Sequence, residues 1–180
     1  MLAPRKSTNS RLSPPPSIKR VNRARKALSA AAAVLAVGAA ACGGSSEEAT
    51  PVACLAGTDA YVEALSAAPA SVLIDGETPI SGCLISGQAV GAQNAVGIAT
   101  VEAATKLNAE ARRRPDGQAA VQLGYLIGAI QQGASETGGI HTDLVRRLDA
   151  AGRFNPGGEP LSAAIERELG RGYAAGQTTG

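Results

Sequence analysis

Residues 85–107 read ISGQAVGAQNAVGIATVEAATKL, the longest stretch of the chain with one sustained period. Ile85, Ala89, Ala92, Val96, Ala99, Ala103 and Leu107 follow at steps of 4, 3, 4, 3, 4 and 4, the spacing of one helix face. Ser81 is the expected N-cap, and Arg112-Arg113-Arg114-Pro115 the expected end, because proline forbids simple continuation. Glu102 with Lys106 and Glu110 with Arg114 are favourable i,i+4 pairs. Gly87, Gly91 and Gly97 lie inside the stripe, each at a cost of ~1 kcal/mol against alanine, which makes sense if a second backbone approaches there.

Working outward, similar patterns recur at shorter length. Asp116 can cap a helix bearing Ala120, Leu123, Ile127, Ile130 and Ala134, broken by Gly133 and residues 135–139. Ile140, Leu144, Leu148 and Ala151 define the next helix, closed by Gly152. Phe154 leads into the turn Asn155-Pro156-Gly157-Gly158, and Pro160 opens a last helix with Leu161, Ile165 and Leu169. Upstream, Thr58 caps a short helix to about Ala67, with Tyr61, Val62 and Leu65 on one face; Ala68-Pro69 stops it. Asp75-Gly76 between Val72-Leu73-Ile74 and Thr78-Pro79-Ile80 signals a small hairpin, with Pro79 limiting its second arm. Short loops make consecutive helices antiparallel. The expected fold is all-α: a small antiparallel bundle of four to five helices with a possible short hairpin near residues 72–80.

Composition divides the chain differently. The 180 residues carry a net charge of +2, yet residues 1–26 hold eight basic residues and no acid. Residues 27–41, ALSAAAAVLAVGAAA, hold no charge, and residues 42–180 sum to 9 − 15 = −6. As a helix, the fifteen apolar residues would cover ~22 Å, short of the ~30 Å hydrocarbon core. A basic region, a short apolar region and small residues before a break form a secretory signal, which displaces the alternative of a nucleic-acid-binding arm. With no twin arginine before the apolar segment, general secretion is the simpler route. The aromatic content of 2% argues against stacking platforms for nucleic acid.

Ala39-Ala40-Ala41-Cys42 resembles the lipobox of bacterial lipoprotein precursors, with Ala39 where that family usually has leucine. The resemblance covers residues 18–53 and implies that Cys42 becomes the N-terminus of the mature chain, carrying diacylglycerol and often a further acyl chain. It implies a membrane partner reached through covalent lipid and a location on the extracytoplasmic face of a cell membrane or outer membrane. Ordinary cleavage after Ala41, leaving Cys42 a free thiol, is the other reading. The segment division is then 1–41 signal peptide, 42–53 tether (Gly43-Gly44-Ser45-Ser46-Glu47-Glu48 and onward), 54–173 helical domain and 174–180 frayed tail.

Cys54 and Cys83 remain, an even pair in an oxidising compartment, which points to one disulfide, with separate buried thiols as the alternative. There is no C-x-x-C, and a single histidine cannot complete a zinc site, so no cofactor or metal is expected. His141 belongs to the first turn of its helix with local hydrogen bonds; a triad with Ser135 has no spacing support, and Asp143 faces another side. Asp143, Asp149, Glu166 and Glu168 read as ion-paired surface, and Arg112–Arg114 as favourable charge at a helix C-terminus. No glycine-rich loop carries the lysine of a phosphate cradle.

Two functions follow. The first is a non-catalytic, membrane-tethered helical module that binds an envelope protein or other envelope component. The second is a small-ligand carrier or enzyme with a cleft between helices, for which Tyr125 and Tyr173 are the candidate lining residues; His141 is a separate ligand-site candidate, in the glycine-flanked loop Gly138-Gly139-Ile140-His141 whose amides suit an anion.

Overall fold

In a computed structural model, residues 49–180 are described. The expected signal peptide, Cys42 and most of the expected tether lie outside the described residues. The helices are α1 (Thr58–Ala64), α2 (Val90–Arg113), α3 (Gln118–Ser135), α4 (Thr142–Arg153) and α5 (Ala163–Thr179). The hairpin pairs β1 (Leu73–Ile74) with β2 (Thr78–Pro79), Ile74 opposite Thr78. Asp75 and Gly76 both take positive φ, 53° and 75°, the conformation that makes Asp-Gly a hairpin turn.

The period-3.6 stripe holds in α2, where Val96, Ala99, Ala103 and Leu107 are buried, but the helix starts nine residues later than Ser81. Leu84 is extended and Gly87 adopts φ 73°, which no right-handed helix contains. Ser81 sits instead in a 3₁₀ turn, Ile80–Cys83, and its hydroxyl donates to the Gly180 carbonyl. The N-cap positions of α1 and α3 are Gly57 and Gly117, not Thr58 and Asp116. At α5 the cap is Ser162, whose Oγ accepts from the Ile165 amide at 3.4 Å, so Pro160 stays outside the helix. Gly152 does not close α4: it is buried within the last turn, where a Cβ would stand 2.9 Å from Ile127 Cδ1. Helix α5 continues through residues 174–179, where a frayed tail was expected, and buries Gly176 against α3.

Consecutive helices of α2–α5 run antiparallel, so alternate ones run parallel. Gly124 of α3 lies against Leu169 and Tyr173, and Gly128 against Tyr173 and Gln177: the contacts advance together along both chains. Helix α3 is the centre of the molecule and is buried nearly all round, from Ala119 to Ile130 except Gln122. The segment of α1 and the hairpin closes the core with Tyr61, Leu65, Val72, Ile74 and Ile80. Cys54 and Cys83 are joined by a disulfide, S–S 2.06 Å. It ties the 3₁₀ turn at Val52–Leu55 to the one at Ile80–Cys83. Closing a loop of this length stabilises by ~3 kcal/mol in the chain-entropy picture. That is substantial here, where Ile, Leu, Val and Phe make up only 28 of residues 42–180.

Candidate functional site

The steps 105, 108–109 and 112 put Thr105, Asn108, Ala109 and Arg112 on one face of α2. That face meets the end of α4, and the two enclose an open cleft of about 540 Å³ together with Ala150, Ala151, Phe154 and Pro156. The floor is alanine, so it is flat and apolar. Phe154, the only phenylalanine of the chain, forms one wall and is 63% exposed.

The polar groups of this cleft are committed to architecture. Buried Asn108 donates from Nδ2 to the carbonyls of Ala151 (3.0 Å) and Phe154 (2.7 Å). Arg112 donates from Nε to Asn108 Oδ1 and from Nη2 to the Arg153 carbonyl, both at 3.1 Å. Together they satisfy carbonyls that the last turn of α4 leaves without intrahelical partners, and they place positive charge at the negative end of that helix. Neither the cleft nor its rim brings a nucleophile to a base. The arrangement suits shape recognition of an apolar group beside one guanidinium. The same groove between α2 and α4 holds a second hollow of about 520 Å³ at its other end, lined in part by Val90, Gly97, Ile140, Leu144 and Arg147.

The tyrosine cleft expected from the sequence is not formed. Tyr125 is fully buried, its hydroxyl accepting from the Val72 amide (3.1 Å) and 3.0 Å from Thr179 Oγ1. Tyr173 is half-buried on α5 and bonds Gln131 and Gln177. His141 is also fully buried, at the N-cap position of α4. Its Nε2 lies 2.7 Å from Gln88 Oε1 and its Nδ1 2.9 Å from Thr137 Oγ1. Gln88 Nε2 donates to the Cys83 carbonyl (2.9 Å) and to Thr50 Oγ1 (2.8 Å), which fixes the amide so that its oxygen faces the ring. With the amide so turned, the neutral imidazole donates from Nε2 to Gln88 Oε1, and Nδ1 and the Ala134 carbonyl (2.8 Å) share the single hydroxyl proton of Thr137. Burial holds its pKa below the ordinary histidine value. His141 is a clamp between the segments that open α2 and α4, with both ring nitrogens bonded inside the core. Tyr61 plays a similar part near the disulfide: its buried hydroxyl donates to the Cys54 carbonyl at 3.0 Å, and burial pushes its pKa up.

Ser135 Oγ turns back to the Gln132 carbonyl, so Ser135 and His141 are not paired. Of the four carboxylates read as ion-paired surface, Asp143 pairs with Arg146, Asp149 with Arg153 (3.0 Å) and Glu168 with Arg171 (2.8 Å), whereas Glu166 is in no ion pair among the described residues; Lys106 pairs with Asp59 (2.9 Å) rather than with Glu102, which accepts from Thr58 Oγ1 (2.7 Å). Glu110 holds Arg113 and Arg114, and the Arg113 hydrogen bond lowers its pKa. Among the described residues no cluster of three or more His, Cys, Asp or Glu could hold a metal, and no helix is long and apolar enough to cross a membrane.

Sequence reasoning missed the groove between α2 and α4. Its signal was present: Val90, Asn94, Ile98, Val101, Thr105 and Ala109 form a second stripe on α2, largely exposed and without charge. No family of known proteins, no curated relative and no solved structure matches this chain.

Proposed function

We propose that the chain is a lipid-anchored envelope protein whose helical domain is a non-catalytic binding module. The observation that carries the anchor is the place of Cys42, after three alanines at the end of an uncharged apolar segment and before a Gly/Ser/Glu tether. The disulfide between the other two cysteines supports an oxidising, extracytoplasmic compartment. The groove between α2 and α4, with exposed Phe154 and Arg112 beside it, is the surface offered to a partner, an envelope protein or another envelope component. A small-ligand carrier is the second reading, favoured by one observation: the 540 Å³ cleft falls within the ~300–1,000 Å³ of small-molecule sites.

Growth with labelled palmitate tests the anchor. The wild-type chain should incorporate label and sediment with membranes, and Cys42→Ser should do neither; continued labelling of Cys42→Ser refutes it. A photocrosslinker at Thr105 tests the module in intact cells. One defined adduct that disappears in Phe154→Ala supports a partner, whereas a small molecule recovered from solvent extracts of the purified chain supports the carrier.

A further inference from the structure

The charged side chains are gathered toward one end of the bundle. Residues 78–101, 117–135, 137–142 and 172–180 contain no Asp, Glu, Lys or Arg. These stretches include the start of α2, the end of α3, the loop into α4 and the end of α5, all of which meet at one end of an up-and-down bundle. Glu136 is the one charged residue between them, with Asp143, Arg146 and Arg147 in the first turns of α4 beyond. The opposite end carries Glu110, Arg112–Arg114, Asp116, Arg153, Glu159, Glu166 and Arg167.

The tether enters at the uncharged end. Thr50 is bonded to Gln88, two residues before α2, and Gln88 to His141, one residue before α4. Around this point stand three exposed aliphatic side chains: Val52 (85% exposed), Val90 (80%) and Ile140 (45%). Gln93 of α2 donates to the Ile140 carbonyl at 3.0 Å, and Val90 and Ile140 line one hollow. Their neighbours in the sequence are Ser86, Gly87, Gln93, Asn94, Gly138, Gly139 and Thr142, all neutral, and the charges that share the hollow of Val90 and Ile140 are one of each sign, Asp143 and Arg147.

We infer that this end of the domain docks on the lipid surface, with Val52, Val90 and Ile140 seated in the interface. The inference rests on the lipid anchor proposed above. From Cys42 to Thr50 the chain spans eight residues, at most ~29 Å when extended, so the anchor delivers this end and not the charged one to the bilayer. Three aliphatic groups are too few to recruit a free protein. On a tether this short, however, docking is an intramolecular event at high effective concentration, and a weak patch suffices. The charged groups at this end, Glu136, Asp143, Arg146 and Arg147, sum to zero, and Glu47 and Glu48 of the tether oppose anionic lipid. Docking is therefore driven by apolar contact, without need of anionic lipid and without sensitivity to salt.

The test uses the lipidated full-length chain in phosphatidylcholine vesicles, with a nitroxide attached through Val90→Cys, Ile140→Cys or, at the charged end, Arg113→Cys. The first two sites should lose collisions with an aqueous nickel chelate and gain collisions with oxygen when vesicles are present, equally at low and high salt. The Arg113→Cys site should stay open to nickel. If all three sites remain equally open to nickel while the protein floats with the vesicles and Cys42 carries lipid, docking is wrong and the anchor stands. If Cys42 carries no lipid, both are wrong.

Discussion

The two parallel helix pairs of the bundle are held by opposite means. Helices α3 and α5 meet backbone to backbone. A Cβ at Gly124 or Gly128 would overlap the carbonyl of Leu169 or Tyr173, and one at Gly172 or Gly176 the carbonyl of Val121 or Tyr125. Helices α2 and α4 are instead tied by polar clamps at their two ends: Gln88 to His141 at one, Asn108 and Arg112 to the carbonyls of Ala151, Phe154 and Arg153 at the other. Glycine against backbone leaves no space between helices. Clamps at the ends leave a groove between them, and the bundle's one large exposed aromatic stands in it. A rigid sealed pair thus supports an open one.

Gly172→Ala attacks the sealed pair where it is tightest and should have the largest effect. The new methyl meets backbone that no rotamer change can move, so we expect a loss of at least ~3 kcal/mol in urea unfolding, at the upper end of overpacking costs. Asn108→Ala opens the clamp at the cleft and leaves the part-buried carbonyls of Ala151 and Phe154 without its donor. The expected loss is ~1–3 kcal/mol, with faster hydrogen exchange in the last turn of α4.

The other clamp makes stability depend on pH. The His141 pKa is depressed in the folded chain, so the unfolded chain binds the extra proton first. Its contribution is complete above the unfolded histidine value near ~6.5 and is lost as pH falls below it. Stability measured between pH 7 and pH 5 should decline, and His141→Gln, less stable at neutral pH, should show a flatter profile there. The smallest effect is a gain. Gly91 lies in α2 with open space around its Cβ position, and Gly91→Ala should stabilise by ~0.5–1 kcal/mol. Loss at Gly91 and tolerance at Gly172 would reverse the contrast between the two pairs.

These glycines also show how much of the molecule was legible. The number of helices, the hairpin turn at Asp75-Gly76 and the antiparallel order could be read because they rest on period, turn chemistry and loop length, all local in the chain. Close helix approach could not be read from one helix. Gly87-x-x-x-Gly91 has the same spacing as Gly124-x-x-x-Gly128, yet Gly87 is a loop residue and Gly91 faces open space. What distinguishes the second motif is a matching one: Gly124-Tyr125-Leu126-Ile127-Gly128 and Gly172-Tyr173-Ala174-Ala175-Gly176 repeat the pattern Gly-Tyr-x-x-Gly, and they pack on each other. A stripe of small residues signals contact when its partner stripe is also present.

The site was less legible for the same reason. His141 and Tyr125 stood out as the rare groups with chemistry, and both are buried and satisfied within the core. The groove is lined by Ala109, Ala150 and Ala151, whose types attract no notice; only the meeting of α2 and α4, more than forty residues apart, makes them a surface. Helix starts failed at Ser81 and Asp116 because capping residues are common in loops, and the competing hydrogen bond, such as Ser81 to Gly180, is not visible along the chain.

The central claim is that this domain works on a lipid tether. Mass spectrometry of the N-terminal peptide from the membrane-purified protein tests it most directly. The account predicts a peptide that begins at Cys42 and carries diacylglycerol on the sulfur. An unmodified peptide, whether it begins at Cys42 or at any other residue, would contradict it.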